Sequence, residues 1–209
     1  MRVHIVVFDG MDDLDVVGPF SVLGMAGRAG LGVSVRLASA TGQAQATTLG
    51  GLPLFPGPWA PEDADVLVVP GGGFASGGPA TGVRATGVRA EIADGRVPRA
   101  LAAAVRPDLV LASVCTGALL LAAAGLVEGR PCTTHHRAVD DLVAAGGRHV
   151  DARVVDDGDL VTAGGVTSGL DLALWLVERF QGREAAERVQ RGLEYERREP
   201  LWLAGGAAA

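Results

Sequence analysis

The chain has 209 residues, of which 48% are apolar, 20% are charged and 4% are aromatic, and its formal net charge is −6. This length and apolar content suffice for one large domain with its own hydrophobic core. All 18 basic residues are arginines and they form no basic run, which argues against nucleic-acid binding through phosphate contacts and against docking on an anionic membrane. The few aromatic residues also argue against base stacking.

The sequence shows no secretory or membrane-spanning pattern. Its first apolar run is followed at once by several aspartates between residues 9 and 15, unlike a signal peptide. The longest apolar stretch, residues 118–127, is far shorter than the roughly 20 residues that a helix needs to cross a bilayer. Two cysteines, Cys115 and Cys132, do not make a disulfide framework. We therefore expect a cytoplasmic protein.

Strand and helix patterns alternate along the chain. Continuous apolar, β-rich runs are typical of strands covered on both faces, and apolar residues at steps of four and three, as at Val16, Phe20 and Leu23, indicate a helix. We predict strands at residues 3–8, 33–38, 65–69, 109–114, 131–134, 150–155 and 160–162, and helices at residues 15–28, 116–124, 167–180 and 183–195. This alternation predicts an α/β fold, a single-domain three-layer α/β/α sandwich with a mostly parallel sheet.

Two segments lack a clear secondary-structure pattern. Residues 74–90 are rich in glycine and contain the sequence ATGVR twice, which is typical of a flexible surface loop. The end of the chain, residues 201–209, is expected to be a flexible tail, and residues 1–200 are expected to form one domain.

Ligands of parallel α/β sheets gather at the carboxyl ends of the strands. The places to inspect are therefore those directly after Phe8, Val69, Val114 and Thr162.

The strongest local signal is Cys115, between a predicted strand and a predicted helix. This position places the thiol at a sharp strand-to-helix turn, in the manner of a nucleophile elbow. A helix amino terminus stabilises a thiolate by roughly 0.3–1 kcal/mol, or about 2 when partly buried, which lowers a thiol pKa by about one unit. A fully reactive thiolate needs a further donor nearby. A cysteine between apolar residues is equally well explained as a buried small hydrophobe, and the local pattern leaves both interpretations open.

The glycines Gly71, Gly72 and Gly73 follow Pro70 at the end of another predicted strand. A turn needs no function, but glycines also let backbone N–H groups approach a reacting centre. With the amide of Thr116 they would form an oxyanion hole beside the cysteine. No GK[ST] sequence follows and no acidic residue closes the second strand, which argues against a phosphate loop and a dinucleotide-binding fingerprint.

Two further groups of polar residues follow predicted strands. His135 and His136 are adjacent, but without C-x-x-C or HExxH spacing they are weak evidence for a metal. We therefore predict no metal and no other cofactor. Of the aspartates Asp12, Asp13 and Asp15, at least two are expected to be solvated or to cap a helix.

Several stretches of the sequence resemble a known family. They are SVCTGALLLAAAGLVEGRPCTTHH from residue 113, RVVDDGDLVTAGGVTSGLDLALWLVERF from residue 153 and VQRGLEYE from residue 189. Through them the chain resembles the ThiJ/PfpI superfamily of class I glutamine amidotransferase-like, flavodoxin-like folds. The sequence DLDVVGP at residues 13–19 is similar to the isonitrile hydratase branch of that superfamily.

The resemblance implies a site. In it, Cys115 is the nucleophile, Asp15 is its acidic partner from the first helix, Thr116 lies beside the thiol, Gly72 and Gly73 supply oxyanion or substrate-binding contacts, and His135 lies near the thiol. It also implies a homodimer that acts on a small molecule.

The implied pairing of Asp15 with Cys115 has a physical requirement. An ionised Asp15 would repel the thiolate and raise the pKa of the thiol. The carboxyl is therefore useful only when it is protonated, as burial allows. The isonitrile hydratase branch then implies that the thiolate adds to the terminal carbon of an isonitrile and Asp15 delivers a proton. Water converts the resulting thioimidate to an N-substituted formamide.

Other functions stay open at this point. His136 replaces the Trp of the implied TTHW pattern, and Cys132 stands where a small residue is usual, and these departures concern the substrate more than the nucleophile. A glyoxalase- or deglycase-like enzyme, or another cysteine hydrolase, would use the same thiol, but with Glu in the role of Asp15. A non-catalytic thiol or ligand sensor is a third alternative. A DNA-binding regulator is not expected, because only a short tail follows Tyr195.

Overall fold

A seven-stranded sheet forms the centre of the computed structural model, which describes residues 1–74 and 86–205. The strands of the chain are β1 (Arg2–Val6), β2 (Ser34–Ala38), β3 (Ala46–Thr47), β4 (Pro53–Leu54), β5 (Val66–Val69), β6 (Val110–Val114), β7 (Pro131–Cys132), β8 (Arg148–His149), β9 (Val154–Asp156), β10 (Leu160–Ala163) and β11 (Leu201–Leu203). The sheet order is β11-β9-β10-β6-β5-β1-β2, and β3–β4 and β7–β8 form two small separate sheets. Within the large sheet β9 and β10 pair antiparallel, and the other neighbours pair in parallel.

The helices lie in two groups on this sheet. They are α1 (Asp13–Arg28), α2 (Val88–Asp94), α3 (Arg96–Ala104), α4 (Ala118–Ala123), α5 (Val139–Ala144), α6 (Ser168–Gln181) and α7 (Arg183–Leu193). Helices α1, α6 and α7 pack together as one group, and α2, α3, α4 and α5 as another. Every residue of the central strands β5, β6 and β10 is buried, as expected for parallel strands covered on both faces. The predicted three-layer, mostly parallel α/β fold is confirmed.

The described part of the chain contains helices that the sequence analysis did not predict. Helix α2 begins inside the expected loop at residues 74–90 and ends where Gly95 adopts the left-handed conformation at φ +75°. Helix α3 follows at once and buries Val97, Leu101 and Ala104, a four-and-three spacing that was available as a helix signal. The repeated part of the expected loop, residues 75–85, lies outside the described residues. No helix among the described residues is long and apolar enough to span a bilayer.

The prediction of a flexible tail from residue 201 was wrong for its first residues. Leu201–Leu203 forms β11, which extends the sheet by pairing in parallel with β9. Leu201 is buried against the core, so apolar burial and the hydrogen bonds of the ladder hold this short strand in place. Residues 206–209 lie outside the described residues.

A buried carboxylate ties this last segment to the body of the domain. Asp171 on α6 is fully buried. Its Oδ2 accepts hydrogen bonds from the guanidinium of Arg153 at 2.7 and 2.6 Å, and its Oδ1 accepts from the Tyr195 hydroxyl at 3.0 Å and the Arg198 amide at 2.9 Å. Arg153 in turn donates its own amide to the carbonyl of Pro200 at 2.9 Å.

We expect Asp171→Asn to lower the free energy of unfolding by about 3 kcal/mol, since removing one partner of a buried ion pair leaves the other charge uncompensated. Chemical denaturation at neutral pH measures this loss. Glu187→Gln is the control, because it breaks the exposed pair between Glu187 and Arg183 and should cost less than about 1 kcal/mol. Equal losses in the two variants would contradict a special role for Asp171.

Candidate active site

The predicted strand ends converge on one pocket. Helix α1, which carries Asp15, follows β1, and the turn of Gly71–Gly73 follows β5. Cys115 follows β6, and the turn that contains Val166 follows β10. Cys115, Thr116, Gly72, Gly73 and His135 all line one pocket of about 340 Å³. The structure therefore brings together the site residues that the sequence singled out, with Asp15 beneath the pocket as a fully buried neighbour of the thiol.

Cys115 occupies a strained elbow, as predicted. Its φ is +56°, a left-handed conformation that a non-glycine residue adopts only when its surroundings impose it. The Cys115 amide donates to the Gly164 carbonyl at 2.9 Å, and the Cys115 carbonyl accepts from the Thr134 hydroxyl at 2.8 Å. A 3₁₀ turn over Cys115–Gly117 leads into α4. A side chain at Gly117 would lie 2.1 Å from the Val69 carbonyl oxygen, so this turn can approach β5 only through glycine.

The sulfur of Cys115 lies in a buried environment. The cysteine is 6% exposed. Burial, followed by the charge of Asp15, raises the pKa of its thiol to about 12, against the opposing effect of hydrogen bonds from the amides of Val166 and Thr116. The expected lowering of the thiol pKa by a helix terminus is therefore outweighed, and the predicted repulsion by Asp15 is present. A thiolate forms at this site only together with proton uptake nearby.

Asp15 is the group that can take up this proton. Burial, with a smaller effect from the charge of Asp12, raises its pKa to about 7, although the hydrogen bond from the Gly71 amide opposes this shift. That bond joins Gly71 N to Asp15 Oδ2 at 3.0 Å. Asp15 Oδ1 is buried and has no hydrogen-bond partner among the described residues. A proton would make the Asp15 carboxyl a hydrogen-bond donor, and the thiol of Cys115 is the side chain with which Asp15 interacts.

Asp15 and Cys115 therefore titrate as a coupled pair. The carboxyl loses its proton far below the pH at which the thiol does. Near neutral pH the pair holds the thiol proton, and the carboxyl is in the pH range in which it takes up or loses its own proton. This arrangement stores a proton next to a nucleophile, which is what general acid–base chemistry at a cysteine requires.

The glycine turn differs in part from the predicted oxyanion hole. The Gly72 amide donates to Thr116 Oγ1 at 3.0 Å, and the Thr116 amide points to the sulfur, so these two of the predicted donors are already engaged. The Gly73 amide has no hydrogen-bond partner within residues 1–74 and 86–205. The Thr116 hydroxyl accepts from Gly72 and donates to no acceptor among the described residues, so its proton is also available. Gly72 itself has φ +123°, and a Cβ there would lie 2.2 Å from the Asp12 amide.

His135 enters the pocket in a defined tautomer. Its Nδ1 accepts a hydrogen bond from the Arg137 amide at 3.2 Å. Burial and the neighbouring His136 and Arg137 lower the pKa of the ring. At neutral pH the imidazole is therefore uncharged, and its proton is on Nε2. His135 thus offers a neutral N–H donor at the wall of this pocket.

The other two aspartates of the first loop have structural roles, as expected. Asp12 caps α1, accepting from the Leu14 amide at 3.0 Å. Asp13 accepts from the Thr48 hydroxyl at 2.6 Å and the Gly50 amide at 2.8 Å, and chiefly the bond from Thr48 holds its pKa below the usual range. These contacts fix the loop that ends at Leu49 on the pocket wall.

Three residues of the site were not predicted from the sequence. Val166 has φ +33° and directs its amide at the sulfur, while Phe74 and Arg137 line the pocket. The glycine pair before Val166 was a usable signal for an unusual turn. Phe74 and Arg137 had no such signal, because their positions depend on how distant loops meet.

Other features of the described chain do not join this site. A larger polar groove of about 730 Å³ runs past Asp9, Gln43 and Asp94 and shares Leu49 with the pocket of Cys115. Cys132 is a free, buried thiol whose pKa burial raises to about 11. Within the described residues no cluster of three His, Cys, Asp or Glu side chains could hold a metal ion.

The fold and site define a class of α/β proteins with a buried cysteine at a strained strand-to-helix elbow, paired with a protonatable carboxyl. Residues 1–179 match the model of the DJ-1/PfpI family. The chain belongs to the DJ-1/PfpI family, as the resemblance in its sequence indicated.

Known relatives place the chain within a functionally mixed family. An isonitrile hydratase of Pseudomonas putida is 49% identical over 83 residues, which is 40% of this chain and 36% of that enzyme. A Parkinson disease protein 7 homolog of Danio rerio is 34% identical over 82 residues, 39% of this chain and 43% of that protein. The matches thus span less than half the length of these curated relatives. The crystal structure of a ThiJ/PfpI family protein from Pseudomonas syringae has a TM-score of 0.80 at 30% identity, covering 95% of this chain and 76% of that chain.

The raised pKa of Asp15 predicts how stability depends on pH. A folded-state pKa of about 7, against the ordinary value of 3.8, means that the folded state binds more protons than the unfolded state between those pH values. Stability therefore falls as the pH rises through this window, by up to about 4 kcal/mol. Asp15→Asn removes this loss, since an Asn oxygen can still accept from Gly71.

Denaturation curves between pH 4 and pH 8 measure this difference. We expect Asp15→Asn to match the parent near pH 4 and to be the more stable protein at pH 8. Asp13→Asn is the control: because the pKa of Asp13 is lowered, its stabilisation is lost only below about pH 4, so the difference between this variant and the parent should stay nearly constant from pH 4 to pH 8. A parent and an Asp15→Asn variant whose stabilities differ equally at every pH would contradict the buried, protonated carboxyl.

Proposed function

We propose that this protein is an isonitrile hydratase-like enzyme, which adds water to an isonitrile to give an N-substituted formamide through a thioimidate on Cys115. The observation that carries the proposal is the buried carboxyl of Asp15 beside the thiol, with a pKa of about 7 and an unpartnered Oδ1. The terminal carbon of an isonitrile needs both a proton and a nucleophile, and this pair holds both at one place. The partial likeness to an isonitrile hydratase supports the same reaction.

The first step forms the thioimidate. Protonated Asp15 donates its proton to the terminal carbon of R–N≡C, the sulfur of Cys115 bonds to that carbon, and the thiol proton passes to the Asp15 carboxylate. The product is R–N=CH–S–Cys115 with Asp15 again protonated, so the net change is addition of S–H across the carbon. Hydrogen bonds from the amides of Val166 and Thr116 stabilise the sulfur while it carries charge.

The second step consumes water. Asp15 donates its proton to the imidate nitrogen and, as a carboxylate, accepts one from the attacking water, which gives R–NH–CH(OH)–S–Cys115. Collapse of this intermediate forms the C=O bond and breaks the C–S bond, and the hydroxyl proton returns to sulfur by way of Asp15. The products are R–NH–CHO and free Cys115. The Gly73 amide and the Thr116 hydroxyl are the donors that we assign to the developing carbonyl oxygen.

The pocket suits a small substrate with an apolar group. Leu49, Phe74 and Val166 supply apolar surface, and the volume of about 340 Å³ is at the lower end for ligand sites. The neutral Nε2–H of His135 is a further donor for the nitrogen of the bound substrate. No step of this mechanism uses a cofactor.

A non-catalytic thiol sensor is less well supported. Oxidation of cysteine begins with the thiolate and follows its exposure. In this protein the thiol is buried, and its pKa is raised to about 12. Dicarbonyl chemistry on the same thiol is the remaining alternative, and the assay below distinguishes it. The expected homodimer stays a prediction.

Turnover of an alkyl isonitrile, followed as formamide formation, tests the proposal. We expect Cys115→Ala to abolish turnover and Cys132→Ala to leave it intact. Asp15→Asn should lower kcat by roughly 10² to 10⁴, the usual contribution of a general acid–base group. Since the first step needs protonated Asp15, kcat/KM of the parent should fall above about pH 7. No formamide from a folded protein whose Cys115 still reacts with iodoacetamide would refute the proposal and favour dicarbonyl substrates.

A further inference from the structure

Arg137 is an exposed arginine on the wall of the pocket that contains Cys115. Its guanidinium has no ion pair or hydrogen bond with any residue of the described chain, although its backbone amide donates to His135 Nδ1 at 3.2 Å. Residues 75–85, which lie outside the described part of the structure, contain no Asp or Glu. The positive charge of Arg137 therefore has no acidic side chain assigned to it by the fold.

The other charged groups near the pocket are already compensated. Asp12 also lines the pocket, but it caps α1 through the Leu14 amide, where the positive end of a helix of 16 residues offsets its charge. Arg89 pairs with Asp141 at 2.9 Å and lies over the Phe74 ring at 4.3 Å.

The ring of His135 is uncharged near neutral pH, because burial and the neighbouring His136 and Arg137 lower its pKa. Arg137 is thus the charge at this pocket that lacks a counter-charge among the described residues.

The backbone of Arg137 is held at the rim rather than free to move. His135 caps the 3₁₀ turn His136–Ala138 by accepting the Arg137 amide. The His135 and His136 rings stack with centroids 4.1 Å apart. The long Arg side chain thus starts from a fixed point beside the mouth of the pocket, and its planar fork is suited to a carboxylate.

We propose that the substrate carries an anionic group, such as a carboxylate, which Arg137 binds at the mouth of the pocket while the reacting group enters toward Cys115. This inference rests on the proposed function, and it narrows the substrate class to isonitriles that also carry an acidic group. A negatively charged group placed there would pair with the guanidinium of Arg137, which has no ion-pair partner among the described residues. The apolar wall of Leu49 and Phe74 would then contact the linker between the two groups.

Alkylation of Cys115 tests the charge preference without any turnover. Iodoacetate and iodoacetamide are close in size and differ in charge, so the ratio of their rate constants reports the field at the thiol. We expect Arg137→Gln to lower the ratio of the iodoacetate to the iodoacetamide rate constant about fivefold at low salt, the effect of an exposed charge a few ångströms away. Added salt should remove the difference between this variant and the parent, because it screens exposed charges. The control is Arg188→Gln, which removes the same charge from an exposed position on α7 and should leave the ratio unchanged.

Turnover of matched substrates tests the substrate class. We expect isocyano-carboxylates to have a KM at least several-fold lower than their methyl esters, and Arg137→Gln to remove this preference with little change in kcat on the esters. An unchanged alkylation ratio together with equal KM values for acids and esters would refute the role of Arg137 and leave the hydratase proposal intact. A shifted ratio without turnover of either substrate would retain the anion site and refute the hydratase reaction.

Discussion

The contact between the buried side chains of Asp15 and Cys115 is the constraint on which the rest of the site depends. Neither group can ionise alone at low cost, because burial raises the pKa of both and each disfavours the charged form of the other. Because the two groups lie together, the carboxyl of Asp15 keeps its proton up to a higher pH and holds it next to the nucleophilic sulfur. The hydrogen bond from the Gly71 amide to Asp15 Oδ2 holds the carboxyl in place beside the thiol.

Strained backbone around the sulfur is held by elements far from it in sequence. Cys115 and Val166 both have positive φ, which costs of order 1–3 kcal/mol for each residue. The turn of Val166 is anchored where the Gly164 amide donates to the Arg153 carbonyl at 3.0 Å. Arg153 is itself bound by Asp171 and by the carbonyl of Pro200, which directly precedes β11. The end of the chain therefore contributes to the geometry of the elbow.

Sequence patterns predicted the sheet and the elbow, because each depends on local residue types, whereas the role of the Asp15 carboxyl was implied by the family resemblance. A buried strand that runs into Cys115 and a helix that carries Asp15 are readable without knowing what they pack against. The patterns failed where tertiary contacts decide. The amide of Gly72 was assigned to a substrate oxygen, but the hydroxyl of Thr116 lies close enough to accept it. Leu201–Leu203 looked like a tail because a short edge strand gains its stability from the sheet that it joins.

Rigid and variable parts of the site have different origins. The reacting groups come from the ends of buried strands and from α1, where close packing leaves little freedom for change. A Cβ on Gly72 or Gly117, for example, would lie within 2.2 Å of backbone atoms. The rim comes from loops, with Arg137 on a single 3₁₀ turn and Leu49 on the segment fixed by Asp13. Substitutions at the rim can thus change which molecule enters, while the chemistry at the cysteine stays the same.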